Sequence, residues 1–482
     1  MDASPLYQQL AQRLCAAMDS GVLARGSRLP SVRQLAQQEG VSQATVVQAY
    51  RWLEDAQRVQ ARPRSGYFVR PTVLQLPEPR PSLPDPMARR IQLDRLGRQV
   101  MHASREPGVI SFGAACPGPE LFDMERARRT LTRVVQRQRH LLGHYPLGPG
   151  QMQVRQAVAR HAMSLGCMLQ PDDIVMTNGC LDAITLALRS VTRPGDVVAI
   201  ESPTYFGFLE LLQSLHLRAL SIPTHPRSGL SVEALELALH TQPVRAVVLT
   251  PTLSNPLGCC MPQAARRRLA QLASAHDVAV VEDVIYNDLC ELDEQRRAIK
   301  AYDTSGHVLM CGSFSKTLAP GLRLGYVAAG RWCATLQRHK EVQSGGQTPV
   351  LELALAELLQ QNGLLAQQRQ LRAALCTRLA QARELVALSF PPGTRVSNPA
   401  GGFILWVEMP QGVDSAVLFE HCLAENICIA PGLMFSTDER YRHCLRLGVG
   451  GAWGPAQLQA LRRMGALAQA LWAAQQRSAA AA

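Results

Sequence analysis

A proline-rich stretch divides this sequence into two parts of very different length. Residues 71–86 read PTVLQLPEPRPSLPDP and contain six prolines in sixteen positions. Proline lacks a backbone N–H and fixes φ, so this stretch cannot form a helix or a central strand. We therefore expect a semi-rigid linker at residues 71–88, between an N-terminal domain at residues 1–70 and a large domain at residues 89–475.

The composition is that of a globular chain without structural metals or disulfides. Of the 482 residues, 47% are hydrophobic and 18% are charged. No run of 18 apolar residues suggests a membrane span, and the first ten residues lack the basic and apolar segments of a secretory signal. The 13 cysteines lie scattered without a C-x-x-C pair, which favours free thiols, no metal site and a cytoplasmic location.

The charge of the chain favours an anionic partner. The net charge is +12, and the first 70 residues carry nine arginines, no lysine and five acidic residues. Such an excess is only a weak indication of an anionic partner. The whole chain has three lysines, Lys300, Lys316 and Lys340. Chemistry that needs an ε-amine therefore has three candidates.

The first 70 residues show the pattern of three helices and a hairpin. Leu6, Leu10, Leu14 and Ala17 share one face of a helix predicted over residues 5–20. Two further helices begin after the capping residues at positions 31 and 42, and a Gly-Val turn separates them, as in a helix-turn-helix. The third helix is expected to bury Val46, Ala49, Tyr50 and Leu53. The segment VQARPRSGYFV then predicts a hairpin with a basic tip.

This arrangement offers residues for DNA recognition. The N-terminal end of a recognition helix meets base edges in the major groove, and a basic hairpin tip can reach the backbone or the minor groove. A three-helix protein-interaction module is the alternative, but the basic tip has no role in it. The candidate DNA-binding residues are Arg33, Ser42, Gln43, Thr45, Arg62, Arg64 and Gly66.

The same segment resembles a known family. From Pro5 to Val69, including LPSVRQLA and PRSGYFV, the chain is similar to the winged helix-turn-helix of the GntR regulators. This resemblance implies binding to double-stranded operator DNA. Members often carry Arg near the positions of Gln43 and Ala44, which are uncharged here, so the base preference is expected to differ.

The large domain alternates helices with short apolar runs. VVAIESP, AVVLTP, VAVVEDV and HVLMCGSFSK each end in polar, Gly or Pro residues. Continuous apolar strands between helices predict a mainly parallel sheet that is covered on both faces. Ligands bind such sheets at the carboxyl ends of the strands, so the candidate site residues are the polar ones after each run.

Lys316 is the first of these residues. It lies in SFSKTLAPGLRLGY, with Ser313 and Ser315 before it and Arg323 after it. An amine among hydroxyls and a guanidinium could form a Schiff base beside a phosphate. An ordinary surface lysine is the alternative.

Three other strand ends supply complementary groups. Asp283 directly follows a buried run, and a buried carboxylate needs a cationic partner such as a protonated pyridine nitrogen. Tyr286 and Asn255 could both hydrogen-bond a ring oxygen. The turn into the helix of TNGCLDAI could bind an anion through its N–H groups, with Asn178, Gly179 and Cys180 as candidates. Together these groups describe a site for pyridoxal 5'-phosphate (PLP).

Residues 108–470 resemble the fold-type I aminotransferases. SNPLG, ED-x-x-Y and SFSK-x-x-x-P-G-x-R-x-G occur in the family's order. The resemblance implies an α/β domain with a mainly parallel sheet and a smaller C-terminal α+β part. It also implies that Lys316 forms the Schiff base with PLP, that Asp283 binds the ring nitrogen, that Asn255 and Tyr286 bind the ring hydroxyl, and that Tyr205 stacks on the ring.

The resemblance assigns roles to the remaining candidates as well. Ser313, Ser315 and Arg323 would hold the phosphate, which Tyr145 of YPLGPG would reach from a second subunit. Arg446 would bind the carboxylate of an amino acid as a bidentate fork. Leu181 and Asp182 depart from the polar residues of many relatives, which affects the expected substrate choice and leaves cofactor binding intact.

A GntR-type head joined to an aminotransferase-like body is the architecture of the MocR regulators. The resemblance implies a transcription factor that senses PLP, an amino acid or an amine, and that forms a head-to-tail homodimer. A working aminotransferase with a DNA-binding appendage is the first alternative, since every expected catalytic position is filled. A PLP-dependent lyase or decarboxylase of the same fold is the second.

Overall fold

The computed structural model describes residues 5–19, 22–23, 27–56, 58–62, 65–69, 76–91 and 95–481. The chain forms two compact units, Met1–Gln75 and Leu76–Ala482. Two predicted DNA-binding positions are affected by this coverage. Arg64 lies outside the described residues, and so does the side chain of Arg62.

The first unit has the predicted order of three helices and a hairpin. Its two strands pair antiparallel, with Val59 opposite Val69 and Arg62 opposite Gly66. The elements are α1 (Leu6–Asp19), α2 (Val32–Glu39), α3 (Gln43–Asp55), β1 (Val59–Arg62) and β2 (Gly66–Val69).

The core of the first unit is confirmed in α3 and differs in α1. Val46, Ala49, Tyr50 and Leu53 are all buried, as predicted. The Tyr50 hydroxyl also donates a hydrogen bond to the Pro30 carbonyl at 2.7 Å. In α1, however, the buried residues are Leu10, Ala11, Leu14 and Met18, whereas Leu6 is 57% exposed and Ala17 is half-buried. The inner face of α1 is therefore rotated from the predicted one, because Ala11 and Met18 join the apolar core that α1 shares with α3.

The turn between α2 and α3 is specified locally. Ser31 and Gln34 form a capping box at the start of α2. The helix ends at Gly40, which has φ 65°, a left-handed conformation that costs glycine little. Ser42 then caps α3 by accepting the Thr45 N–H at 3.1 Å.

The second unit contains the large sheet and a smaller one. The strands are β3 (Arg89–Arg90), β4 (Ile110–Ser111), β5 (Ile174–Thr177), β6 (Val197–Ser202), β7 (Arg218–His225), β8 (Gly229–Leu230), β9 (Val244–Leu249), β10 (Ala279–Asp283), β11 (Val308–Ser313), β12 (Gly325–Ala328), β13 (Arg395–Val396), β14 (Ile404–Glu408), β15 (Ile427–Cys428), β16 (Ala430–Pro431) and β17 (Cys444–Gly448). The helices are α4 (Leu96–Ala103), α5 (Met124–Arg137), α6 (Met152–Ser164), α7 (Cys180–Val191), α8 (Phe206–Ser214), α9 (Val232–Thr241), α10 (Gln263–Ala275), α11 (Cys333–Ser344), α12 (Pro349–Gln360), α13 (Leu364–Ser389), α14 (Ser415–Ala424) and α15 (Pro455–Ala481).

The large sheet is mainly parallel, as the apolar runs predicted. Its strand order is β3-β7-β6-β9-β10-β11-β12-β5, and β8 pairs with β7. The central strands β7, β6, β9, β10 and β11 run parallel, while β12 is antiparallel to both of its neighbours. The carboxyl ends of the central strands therefore meet at one edge of the sheet.

Helices cover both faces of this sheet. Along β6, Val198 and Ile200 pack with α7 and α8 on one face, and Val197 and Ala199 pack with α9 and α10 on the other. Successive strand residues point to opposite faces, so the fully apolar runs reflect burial on both sides. Within the part of the chain that the structure describes, no helix is long and apolar enough to cross a bilayer.

A smaller antiparallel sheet forms the C-terminal part. Its order is β13-β14-β17-β16, and residues of α13, α14 and α15 share its apolar core. Trp406 on β14 is 2% exposed and lies opposite Arg446 on β17. This pairing brings a residue from late in the chain to the site described below.

The described part of the proline-rich stretch lies along the second unit. Ser82 donates to the Thr224 carbonyl at 3.1 Å, and Val396 donates to the Pro77 carbonyl at 3.0 Å. Arg80 donates its backbone N–H to Glu408 at 2.8 Å. The stretch is extended, and residues 76–90 are held by the large unit because their backbone groups find partners on it.

A buried carboxyl makes the stability of the large unit depend on pH. Glu201 on β6 is 3% exposed and accepts the Thr250 N–H at 2.9 Å. Burial raises its pKa to about 8. This pKa lies above the pKa of Glu201 in the unfolded chain. The contribution of protonated Glu201 to stability is therefore fully present below the unfolded pKa and is lost as the pH rises towards 8.

Glu201→Gln should remove this loss. The quantity compared is the free energy of unfolding of the variant minus that of the wild type. We expect this difference to be larger at pH 8 than at pH 5 by a few kcal/mol, since one pKa unit is worth about 1.4 kcal/mol. Denaturant unfolding at both pH values measures this, with the exposed Glu420→Gln as control. A difference that is the same at both pH values would contradict the prediction.

Candidate functional site

A cavity of about 210 Å³ lies at the carboxyl ends of the central strands. Nine of the residues predicted from the sequence line it, together with Ala115, Leu181, Ile184, Phe208, Thr250 and Ile285. The nine are Cys180, Tyr205, Asn255, Asp283, Tyr286, Ser313, Ser315, Lys316 and Arg323. The fold therefore brings together polar residues at or after the ends of five strands, β5, β6, β9, β10 and β11.

The Lys316 amine lies inside this cavity and is largely removed from water. Lys316 follows β11, and its Nζ donates a hydrogen bond to the Ala115 carbonyl at 2.7 Å. Burial lowers the pKa of the amine, because desolvation disfavours its charged form. A lowered pKa increases the fraction of neutral amine, which is the nucleophilic form.

Asp283 is the last residue of β10 and is 6% exposed. Its Oδ1 accepts hydrogen bonds from the Cys180 thiol at 3.1 Å and from the Ile285 N–H at 2.9 Å. Burial raises the pKa of this carboxyl to about 6. Among the described residues it forms no ion pair, so a cationic group in the cavity would stabilise its charged form.

The Cys180 thiol contacts Asp283, which the sequence did not predict. The prediction placed Cys180 with the anion-binding N–H groups at the start of α7. The backbone position agrees, since Cys180 is the first residue of α7. The side chain points to β10 because α7 packs directly across the central strands.

Asn255, Tyr286 and Arg446 form a connected polar group. The Arg446 guanidinium donates to Asn255 Oδ1 at 3.2 Å and to the Gly113 carbonyl. The Tyr286 hydroxyl is hydrogen-bonded to the Asn255 amide. Arg446 is 1% exposed, and its Nε finds no hydrogen-bond partner within the described part of the chain. The predicted carboxylate-binding arginine therefore lies next to the cavity and has an unsatisfied donor.

The start of α7 and the residues beside it have the features of an anion site. Gly179, at φ 86°, precedes α7, which has no side-chain cap. A Cβ at Gly179 would lie 2.7 Å from the Arg323 guanidinium, so glycine permits the close approach. Ser313 and Ser315 are joined by a 2.9 Å hydroxyl contact. The free N–H groups of α7 and the two hydroxyls suit an oxyanion.

Asn178 contributes less to this anion site than predicted. Its backbone N–H donates to Asp182 Oδ2 at 2.8 Å, and its carbonyl accepts from Arg323 at 3.3 Å. Asp182 lies four residues further on, in the first turn of α7, where it reaches back to the loop. One predicted N–H donor is therefore already used within the protein.

Tyr205 forms one wall of the cavity. It follows β6 and is half-buried, and its ring packs edge-on against Phe206 and Phe208 at centroid distances of 4.8 and 5.4 Å. Burial raises the pKa of its hydroxyl to about 12. Tyr145 lies elsewhere, in a loop where it is 85% exposed, and it does not line this cavity.

The DNA-recognition candidates of the first unit are on its surface. Arg33, Ser42 and Gln43 are exposed, and Thr45 is half-buried. The Ser42 and Thr45 hydroxyls bond to each other at 2.8 Å, so both serve the helix cap. Gln43 forms no side-chain hydrogen bond among the described residues and presents a free amide at the start of α3.

The hairpin has a basic neighbour that the sequence pattern missed. Arg28 pairs with Phe68 across an isolated bridge, and its Nε lies 3.4 Å from the position of a Cβ on Gly66. Gly66 has φ 94°, so glycine serves both the turn and this close approach. Arg28 comes 38 positions before Gly66, and no local motif connects them.

Comparisons with known proteins agree with this two-part organisation. Residues 6–69 match the family model for bacterial regulatory proteins of the gntR family, and residues 116–461 match the model for aminotransferase class I and II. The crystal structure of the α-aminoadipate aminotransferase LysN from Thermus thermophilus aligns with a TM-score of 0.72, 26% identity and coverage of 80% of this chain and 96% of that chain. Its structure holds N-(5'-phosphopyridoxyl)-L-leucine.

Full-length relatives carry both parts. The uncharacterized HTH-type transcriptional regulators YjiR and YdcR of Escherichia coli are 35% and 36% identical over 95% and 96% of this chain, and these alignments cover 98% and 99% of the relatives. The probable rhizopine catabolism regulatory protein MocR of Rhizobium meliloti is 28% identical over 76% of this chain and 74% of its own. The chain therefore belongs to the MocR-type transcriptional regulators, in which a GntR winged helix-turn-helix is fused to an aminotransferase class I/II domain of fold-type I.

Proposed function

We propose that this regulator binds PLP in the cavity around Lys316 and that the bound cofactor changes how its first unit binds operator DNA. The proposal rests on one observation: Lys316 and Asp283 line the same cavity. One is an amine with a lowered pKa and the other is a buried carboxyl without an ion-pair partner among the described residues. Both groups suit a ligand that carries an aldehyde and a cationic ring nitrogen.

The donor set around these two residues fits PLP. Ser313, Ser315, Arg323 and the start of α7 would hold the phosphate, since hydroxyls, a guanidinium and free N–H groups all donate to oxyanions. Tyr286 and the Asn255 amide would donate to the ring hydroxyl. Tyr205 would cover one face of the ring.

PLP supplies an aldehyde that condenses with amines and a ring that withdraws electrons from the carbon next to the nitrogen. The Asp283 carboxylate would form an ion pair with the ring nitrogen and so keep that nitrogen protonated. The Cys180 thiol and the Ile285 N–H keep the carboxylate oriented. The Ala115 carbonyl accepts from the Lys316 amine and keeps it in the cavity, and the surrounding apolar walls exclude water.

The effector would be an amino acid or an amine that reaches the same cavity. Arg446 stands on β17 of the smaller sheet, yet it contacts Asn255 after β9 of the large sheet. A carboxylate bound to Arg446 would therefore contact both sheets of the second unit. Such a ligand can shift the regulator between two states only if it binds one of them more tightly.

A homodimer would complete the regulator. Three large apolar residues are exposed close together, which is unusual. Leu142, in the 3-10 helix Arg139–Gly143, is 65% exposed, and Tyr145 and Leu147, in the loop after it, are 85% and 75% exposed. A second subunit would cover them, and Tyr145 would then reach that subunit's phosphate site. In a head-to-tail dimer, the first unit of each subunit would read one DNA half-site.

The first unit would read DNA mainly through Gln43. We expect Gln43→Ala to relax sequence preference, because one lost base contact costs about 1–3 kcal/mol of discrimination. Arg33→Gln should weaken binding to operator and random DNA alike and reduce the salt slope by about 1. Fluorescence anisotropy with both DNAs across a salt titration measures this. Equal effects of the two variants on sequence preference would contradict the assignment.

The effect of PLP on DNA binding tests the proposed function. We expect the affinity for the DNA upstream of the protein's own gene to change when PLP is added, at every salt concentration. Lys316→Ala should abolish or weaken that change. Identical binding curves with and without PLP across the titration would refute the proposal.

Transamination is a second candidate function. Nine residues expected of an aminotransferase site line a single cavity, and this observation favours it. Single-turnover spectroscopy with a panel of amino acids would detect conversion of the cofactor to pyridoxamine phosphate. No conversion with any amino donor would reject turnover and leave the regulatory role. Product analysis would distinguish transamination from lyase or decarboxylase chemistry.

A further inference from the structure

A second cavity of about 950 Å³ lies in the large unit. It is bounded by α6, by the short 3-10 helix Asn287–Leu289 and by the beginning of α13. It shares no lining residue with the cavity around Lys316. The roles proposed above therefore leave it unexplained.

The walls of this second cavity are strongly basic. Four arginines line it, at positions 160, 296, 369 and 372, and Asp288 is its one acidic lining residue. Asp288 is already paired with His161 at 3.3 Å. The cavity therefore carries an excess of positive charge that a bound anion would balance.

Two of these arginines are available to a ligand. Arg296 pairs with Asp293 at 2.6 Å, and Arg372 donates to the Asp288 carbonyl at 2.9 Å. Arg160 and Arg369 are exposed and form no ion pair among the described residues. Arg369 uses only its Nε, which donates to the Leu365 carbonyl at 3.3 Å.

The start of α13 adds free backbone donors. Gly363 precedes this 26-residue helix at φ 96° without a side-chain cap, and residues 364–366 line the cavity. Their N–H groups point out of the first turn, where the helix dipole favours an anion. A helix of this length that begins in a basic cavity makes a site for an oxyanion.

The buried side chain of Gln368 is a second, independent indication of a ligand site. It is 8% exposed, lines the cavity, and forms no side-chain hydrogen bond among the described residues. Buried polar groups are normally paired, because an unmade hydrogen bond costs free energy. A ligand oxygen in the cavity would satisfy this amide.

We propose that this cavity is a second binding site, for a small metabolite that carries a carboxylate or a phosphate group. Arg160 and Arg369 bind the oxyanion, the first turn of α13 donates N–H groups, and Gln368 donates its amide. A concave site lined by a glutamine that is nine-tenths buried favours a small molecule over the backbone of DNA, which binds to exposed surfaces.

Binding of simple oxyanions to the full-length protein tests the proposal. Inorganic phosphate and succinate are titrated separately by calorimetry at constant ionic strength, into protein that was first loaded with PLP and then freed of unbound PLP. We expect at least one of them to bind saturably, and the comparison identifies a phosphate or a carboxylate ligand. The double variant R160Q/R369Q should bind at least about tenfold more weakly, since it removes both charged donors that are free to bind the anion.

Three further variants make the result specific. Gln368→Leu should weaken binding measurably, whereas Arg477→Gln, an exposed arginine on α15, should leave it unchanged. Arg323→Gln reports on the proposed PLP phosphate site. Loss of anion binding in R323Q and its retention in R160Q/R369Q would place the anion at that site and overturn the proposal.

Two other outcomes would also overturn it. Equal binding by the wild type and R160Q/R369Q, or no saturable binding of either anion, would exclude an oxyanion site here. Weaker DNA binding by R160Q/R369Q without phosphate or succinate binding would assign the arginines to the DNA backbone. Matching thermal unfolding of all variants without anion would show that the substitutions leave the fold intact.

Discussion

Lys316→Ala is expected to abolish covalent attachment of PLP. The wild type mixed with PLP should show an absorbance band near the visible edge, and borohydride should fix the cofactor onto Lys316. After borohydride treatment and removal of unbound cofactor, the variant should carry no attached PLP, because alanine has no amine to condense with the aldehyde. Some binding should remain, held by Ser313, Ser315 and Arg323 at the phosphate.

The other two lysines provide the control for this experiment. Lys300 is paired with Asp303 at 2.8 Å, and Lys340 is 1% exposed. Neither lines the cavity. Lys300→Ala should therefore keep the band and the borohydride product. Peptide mass spectrometry that finds the fixed cofactor on Lys300 or Lys340 would contradict the assignment of Lys316.

Asp283→Asn is expected to weaken retention of PLP roughly a hundredfold. The charged hydrogen bond between a carboxylate and a protonated ring nitrogen contributes up to about 3 kcal/mol. Asparagine keeps the size of the side chain but removes its charge. The Cys180 and Ile285 contacts to the side-chain oxygen can remain. Equilibrium dialysis or the cofactor absorbance during dilution measures the change.

Glu282→Gln is the matched control for Asp283→Asn. Glu282 precedes Asp283 on the same strand and is also fully buried, but it accepts the N–H groups of Ile299 and Lys300 at 2.7 and 3.0 Å. It faces away from the cavity and should not affect PLP. Equal loss of PLP in both variants would indicate damage to β10 and count against a specific role for Asp283.

Local patterns were sufficient to predict the first unit. Ser31, Gly40 and Ser42 act through neighbours in sequence, so the boundaries of α2 and α3 follow from local rules. The apolar face predicted for α1 differs from the buried one, because the orientation of α1 depends on the packing of Ala11 and Met18 in the core that it shares with α3. That contact lies between distant segments and has no local signature.

The residues that line the cavity could be predicted where they lie at strand ends. The contacts that other parts of the chain make with these residues could not. Asp283 and Ser313 end buried strands, and parallel topology alone brings such residues together. The Ala115 carbonyl that holds Lys316 carries no sequence signal, since every residue has a carbonyl. The hydrogen bond from Arg446 to Asn255 forms because β17, which carries Arg446, pairs with β14. The spacing of residues in the sequence does not predict this pairing.

The second cavity could not be predicted at all from local patterns. Arg160 and Arg369 belong to helices far apart in sequence, and Gln368 in isolation reads as a polar position of an amphipathic helix. Only the packing of α6 beside the start of α13 shows that these residues share one cavity. Basic clusters that form through tertiary contacts have no motif.

The affinity for PLP in the presence and absence of operator DNA tests the central claim most directly. Coupling between two sites is reciprocal, so the factor by which PLP changes DNA affinity must equal the factor by which DNA changes PLP affinity. We predict a PLP dissociation constant that differs at least about fivefold between free and operator-bound protein, and no difference with random DNA. The same constant in all three conditions would show that the two units act independently and would contradict the account.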